Sequence, residues 1–193
     1  MDALVIGPGL GRDQSAVQIK ELIIKKAKEI DIPIVFDADG IFVVQNNLDL
    51  VTGFSKAILT PNFNEFSRLR DILKVAPGKD ECLNLSALLG CTIVQKGVND
   101  VISNGKSVFI CDYQGIPRRC GGQGDVLSGI MGTMICWADK QDVGGDQDIF
   151  ACFEACKLVR EAARRAFDQH KRSMIASYII PHIGPAFQFL FDQ

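Results

Sequence analysis

Short apolar runs closed by turns alternate along the chain with longer segments of helical period. "ALVIG" (3–7) is an apolar run ending in a Gly-rich turn, and "SAVQIKELIIKKAKEI" (15–30) predicts a helix with its lysines outward. "IPIVFDAD" (32–39) predicts a buried strand ending in two acids, and "KAILTPN" (56–62) another that stops at Pro61. "CTIVQKG" (91–97) predicts a strand, followed by a hairpin over "DVISNGKSVFIC" (100–111) with its turn at Asn104-Gly105. "GDVLSGIMGTMICWA" (124–138) and "DIFACFEACKLVREAARRAF" (148–167) predict helices joined by the polar loop "DKQDVGGDQD" (139–148). Strands apolar on both faces, alternating with helices, predict an α/β fold with a mostly parallel sheet between helical layers. No repeat, low-complexity stretch or linker divides the chain, so a single domain over residues 1–193 is expected. The last segment, "KRSMIASYIIPHIGPAFQFLF" (171–191), reads as structural, punctuated by Pro181 and Pro185, with Phe187, Leu190 and Phe191 at helical core spacing. Trp137 likewise reads as core or interface packing.

Composition narrows the chemistry. The 193 residues are 47% hydrophobic, with a formal net charge of −2 and no basic block, which gives no electrostatic footprint for nucleic acid. No apolar run is long enough to cross a bilayer, so no membrane partner is expected. The seven cysteines (Cys82, Cys91, Cys111, Cys120, Cys136, Cys152 and Cys156) include no C-x-x-C pair, which argues against a disulfide framework or a zinc ribbon. Cys152 and Cys156 stand one helical turn apart, but core packing is the commoner reason for such a pair. With only His170 and His182 available, a histidine-based metal centre or triad is not expected. Reduced thiols point to a cytoplasmic location, and a mitochondrial form stays open because a leader would precede Met1.

The candidate chemistry lies in the turns. "GGQGDVLSG" (121–129) sets Gly121, Gly122 and Gly124 against a helix start and one carboxylate, Asp125. Residues without Cβ let backbone amides approach an anion, and the helix start favours negative charge. Asp125 would repel a phosphate unless it serves a different group, and a general base accepting a hydroxyl proton fits. A helix with a first-turn acid is the equally available structural reading. Four more polar turns follow strands: "GPGLGRD" (7–13), "DADG" (37–40), "LTPNFNEFSRL" (59–69) and "QKGVND" (95–100). Open α/β sheets gather their ligands at that edge.

In this order, "GPGLGRD", "DADG", "LTPNFNEFSRL", "KGVND" and "RRCGGQGDVLSG" resemble the ATP-dependent NAD(P)H-hydrate dehydratase family, with the eukaryotic form of the last motif. The resemblance implies a ribokinase-like (carbohydrate kinase type) α/β/α sandwich. It implies ATP-dependent dehydration of the S-epimer of hydrated NADH or NADPH, a metabolite-repair reaction in which phosphate is added to the hydroxyl and then eliminated. By matching motif, Asp125 would be the catalytic base and would also bind the substrate. Gly9 and the run Asn62, Phe63, Asn64, Glu65, Phe66, Ser67 and Arg68 would contact the hydrated dinucleotide. Lys96, Gly97, Val98, Asn99 and Asp100 would hold ATP, together with Gly115, Ile116, Pro117, Arg118, Arg119, Cys120, Gly121, Gly122, Gln123 and Gly124. Magnesium would accompany the ATP without a dedicated protein metal centre, and a homo-oligomer is compatible with the family. The family carries a further strand–helix layer first, so the chain is expected to be N-terminally short by comparison. Another ribokinase-like small-molecule kinase and an inactive nucleotide-binding fragment are the competing expectations.

Overall fold

A computed structural model describes residues 2–141 and 146–192. Among them, six strands form one sheet in the order β1-β2-β3-β4-β5-β6. β1 (Leu4–Ile6), β2 (Ile34–Phe36), β3 (Ala57–Leu59) and β4 (Thr92–Gln95) are parallel. β5 (Asp100–Ser103) and β6 (Val108–Cys111) add the antiparallel hairpin expected around Asn104-Gly105. Between the parallel strands run α1 (Gln14–Glu29), α2 (Asp39–Asn46), α3 (Phe63–Leu73) and α4 (Glu81–Leu89). α5 (Gln123–Gln141) and α6 (Gln147–His170) follow the hairpin, and α7 (Ile183–Phe191) closes the chain. Of the polar loop expected at 139–148, residues 139–141 belong to α5 and 147–148 to α6, while residues 142–145 lie outside the described residues. No described helix is long and apolar enough to cross a membrane.

Strand alternation builds two cores. Ile34, Phe36, Ala57, Leu59 and Ile93 pack on one face, with Ile24 of α1, Ile41 and Val44 of α2, and Leu85 of α4. Val35, Ile58, Val94 and Ile102 point to the other face, against Leu127, Met131 and Ile135 of α5 and Cys152, Cys156 and Val159 of α6. Side chains that alternate between two buried faces explain why these strands read as unbroken apolar runs rather than as an apolar–polar alternation. Cys152 and Cys156 are packing residues within the second core.

The α1 face departs from the sequence reading. Lys20 is 2% exposed and its ammonium donates to the Gly11 carbonyl, while Ile19 and Leu22 stand exposed. One cation is therefore turned inward, where it satisfies a carbonyl of the loop after β1. Trp137 is half exposed and meets Phe187 edge to face, with ring centroids 6.1 Å apart, so it caps the α5–α7 contact rather than filling the core. Phe187, Leu190 and Phe191 pack against the second core as their spacing predicts.

The carboxyl ends of β1 and β2 touch. A Cβ on Gly7, at φ +135°, would lie 1.7 Å from the Asp37 carbonyl oxygen, so only glycine permits this approach. The Asp37 amide donates to the Ile6 carbonyl at 3.1 Å, and the Gly40 amide donates to the Asp37 carbonyl at 2.8 Å. Between the two acids of the "DADG" turn, Ala38 takes φ 45° and ψ −111°, a conformation that costs a residue with a Cβ about 1–3 kcal/mol.

Candidate active site

At the carboxyl edge of the sheet lies a cavity of about 900 Å³, within the range of small-molecule sites. Residues 96–100, the turn after β4 and the first residue of β5, line one part of it, and residues 112–120, on the segment after β6, line another. Gln123, Gly124 and Leu127 of α5 and Cys156, Val159 and Arg160 of α6 complete the wall, with Asn62 and Phe63 from the start of α3.

Buried ion pairs fix these loops. Arg160 donates from Nε to Asp100 Oδ2 at 2.9 Å, and its Nη2 forms an ion pair with the same oxygen at 2.8 Å. The same guanidinium donates to the Tyr113 carbonyl at 3.2 Å and to the Gly97 carbonyl at 3.3 Å, tying both loops to α6. Asp100 Oδ1 in turn accepts the Gly97 amide at 3.0 Å. Next along α6, fully buried Glu161 accepts from Tyr113 Oη at 3.0 Å, Arg165 Nε at 2.6 Å and Arg164 Nη2 at 2.8 Å. Burial alone would push the Glu161 carboxyl up, but its hydrogen bonds from Arg164, Arg165 and Tyr113 prevail and hold it below the ordinary glutamate value. Burial, with Glu161 accepting its hydroxyl, pushes Tyr113 up.

The start of α5 is an open donor surface. Among the described residues, the backbone amides of Gly121, Gly122, Gly124 and Asp125 donate to no protein acceptor. Arg118 and Arg119, both on the cavity wall, form no ion pair among those residues, so they add uncompensated positive charge. Lys96 donates to Asp37 Oδ1 at 2.5 Å, and the pair lies against the same helix start. A Cβ on Gly124 would sit 3.3 Å from both Asp37 Oδ2 and Lys96 Nζ. Gly124, two arginines and a lysine line one hollow, with the other free amides beside it, and this set suits a polyphosphate. No group of three or more His, Cys, Asp or Glu side chains placed to hold a metal occurs among the described residues. The donor set therefore fits magnesium carried by phosphate oxygens rather than by a protein cage.

The expected site residues fall into three sets. Of the nucleotide residues, Lys96, Gly97, Val98, Asn99 and Asp100 line the cavity, as do Gly115, Ile116, Pro117, Arg118, Arg119, Cys120, Gln123 and Gly124; Gly121 and Gly122 do not. Asp125 is exposed and stands beside the cavity, one residue past Gly124. Of the dinucleotide residues, only Asn62 and Phe63 reach the cavity wall. Asn62 and Glu65 form a capping box, Asn62 Oδ1 accepting the Asn64 amide at 3.0 Å and the Glu65 amide at 3.1 Å, and Glu65 Oε2 accepting the Asn62 amide at 2.9 Å. Ser67 donates to the Phe63 carbonyl of its own helix at 2.9 Å. Phe66 corrects the sequence reading: it is 1% exposed within the first core, because the helical period turns it inward, and it serves packing. Arg68 faces a separate shallow hollow with Phe42 and Gln45. Gly9 lies exposed on the loop after β1, which is held by the Gly11 amide and Arg12 Nε donating to Asp39 at 2.9 and 2.6 Å. Its hydrogen bond from Arg12, and to a smaller extent that from the Gly11 amide, outweighs burial and holds the Asp39 carboxyl below its ordinary range. Sequence reasoning missed Tyr113, Arg160 and the Asp37–Lys96 pairing. A helix that reads as plain amphipathic period gives no sign that one of its arginines reaches a loop far along the chain.

A family model described as NAD(P)H-hydrate dehydratase matches residues 1–184. The chain is 43% identical over 202 residues to the ATP-dependent (S)-NAD(P)H-hydrate dehydratase of Homo sapiens, covering all of this chain and 58% of that protein. It is 40% identical over 209 residues to the enzyme of the same name from Dictyostelium discoideum, covering all of this chain and 68% of that one. It thus spans about three fifths of the length of most such curated relatives. Among solved structures, hydroxyethylthiazole kinase from Pyrococcus horikoshii is similar at a TM-score of 0.74 and 22% identity, over 97% of this chain and 71% of that one. A ribokinase-like superfamily protein from Enterococcus faecalis gives 0.72 and 23%, over 97% and 63%. At such identities the likeness is one of fold, and the fold is the ribokinase-like α/β/α sandwich.

Proposed function

This chain belongs to the NAD(P)H-hydrate dehydratase family, and on that premise we propose that it binds ATP in the cavity beside α5 and uses it to dehydrate the S-epimer of hydrated NADH or NADPH. The observation that carries this reading is the cluster of unengaged amides at Gly121, Gly122, Gly124 and Asp125, flanked by Lys96, Arg118 and Arg119 and followed directly by a solvent-reachable carboxylate. Donors gathered around one point stabilise charge on a transferring phosphoryl group, and an adjacent base serves the acceptor.

In this mechanism Asp125 takes the proton of the substrate hydroxyl while that oxygen bonds to the terminal phosphorus and ADP departs. The C–O bond of the phosphorylated hydrate then breaks, the electron pair leaving with phosphate. Loss of a proton from the neighbouring carbon restores the ring double bond. Phosphorylation is needed because hydroxide is a poor leaving group. Magnesium carried by the phosphate oxygens would neutralise part of the developing charge. Asn62, Phe63 and the loop bearing Gly9 are the parts of this chain placed to meet the dinucleotide. We place the reaction in the cytoplasm.

The test is ATP-dependent recovery of reduced-nicotinamide absorbance from hydrated NADH. Asp125→Asn should lower the rate by about 10²–10⁴-fold while leaving ATP affinity nearly unchanged. Substantial residual turnover would remove Asp125 as the base. ATP binding without turnover would favour a nucleotide-binding fragment, and a stable phosphorylated alcohol would favour a small-molecule kinase.

A further inference from the structure

We propose that Lys96 binds the terminal phosphate of the nucleotide and that Asp37 is the positioning residue that holds it there. The inference rests on the nucleotide reading of the cavity and deepens it, by choosing which phosphate Lys96 meets and by adding Asp37.

Three observations point the same way. First, burial is asymmetric within the ion pair: the Asp37 side chain is 3% exposed and that of Lys96 is 20% exposed, on the cavity wall. The carboxylate is sealed while the ammonium is reachable. An ammonium carries three donors, and Asp37 Oδ1 takes one at 2.5 Å, which leaves two for a ligand. Second, the pair is located at one end of the phosphate surface. It touches the place a Cβ of Gly124 would occupy, one residue before Asp125. A phosphorus under attack must lie beside the base that serves the attacking hydroxyl, so the phosphate reaching Lys96 is the transferred one. Third, both partners are fixed from below. The Asp37 amide and carbonyl are bonded to Ile6 and Gly40, and the Lys96 amide donates to the Pro61 carbonyl at 2.9 Å. The positive φ of Ala38 separates the two acids of the turn, sending Asp37 to Lys96 and Asp39 to Gly11 and Arg12.

Asp37 holds the Lys96 ammonium aimed at the cavity before the nucleotide arrives, and it stays bonded afterwards. This is preorganisation of a donor for charge that appears during transfer.

The test is calorimetric titration of ATP and of ADP into the whole chain, with magnesium and separately with EDTA, for wild type, Lys96→Met, Asp37→Asn and the double variant. Lys96→Met should weaken ATP by at least about tenfold and ADP by less than about threefold. Asp37→Asn should weaken ATP selectively in the same way, with or without magnesium. The double variant should bind no worse than Lys96→Met alone, because Asp37 acts only through Lys96. If Asp37→Asn fails to fold, the double variant still carries the comparison, since removing both charges leaves no unpaired buried ion. Equal losses for ATP and ADP, additive losses in the double variant, or an Asp37→Asn effect that vanishes in EDTA would each overturn the proposal. A wild type that binds ATP with an affinity unaltered by Lys96→Met overturns the clamp alone. A folded wild type that binds neither nucleotide overturns the nucleotide reading and the clamp with it.

Discussion

Single atoms decide the site. Gly124 has room for hydrogen but not for a branched side chain, because Asp37 Oδ2 and Lys96 Nζ both lie 3.3 Å from the Cβ position. Gly124→Val should force the ion pair away from α5 and cover the amides, lowering ATP affinity by at least about tenfold in a titration. Normal affinity would mean that the phosphates bind elsewhere. At this scale the sequence was informative where chemistry is carried by residue type, as with the glycines before Asp125. It was misleading where geometry reverses an expectation. The Lys20 ammonium is buried because a carbonyl of the preceding loop lies within its reach, and Phe66 belongs to the core because its helix turns it inward. Neither fact is visible in one residue and its neighbours along the chain.

At the scale of elements, α6 serves as the fastener. Its Arg160 and Glu161, adjacent in sequence, grip the two nucleotide loops through Asp100, Gly97 and Tyr113. Since the folded Glu161 carboxyl lies below its ordinary value of 4.5, its contribution is complete above that pH and is lost as pH falls through the folded value. Glu161→Gln should therefore lower stability by roughly 1–3 kcal/mol near neutrality and flatten the fall in melting temperature as pH drops below 4.5. An acid limb as steep as that of the wild type would exclude Glu161 from it. The strands and the hairpin were legible because buried parallel strands read as apolar runs and Asn-Gly marks a tight turn. The fastening was not, because a bond between a helix and a loop some 60 residues apart leaves no period in the sequence. The same holds for the capping box on α3, where the letters that resemble a dinucleotide pocket also start a helix.

For the whole molecule, two cores separated by one sheet mean that the cavity borrows its rigidity from the α5–α6 side. If ATP binds there, a concentration of about one hundred times Kd adds ~2.7 kcal/mol, which for a chain of this length raises the melting temperature by about 5–10 °C. No shift on adding ATP to folded protein would count against the proposed function. The five buried thiols divide between the same two layers: Cys82 and Cys91 lie in the core with α1, α2 and α4, and Cys111, Cys152 and Cys156 in the core with α5 and α6. Burial pushes Cys82 and Cys91 up to about 12 and raises Cys152 and Cys156 as well, so alkylation at neutral pH requires the surrounding layer to open. The chain thus carries its own pair of clocks. Mass spectrometry of alkylated peptides should time each layer separately, with ATP slowing the Cys152 and Cys156 clock more than the other, and equal rates throughout would show that the two layers open as one.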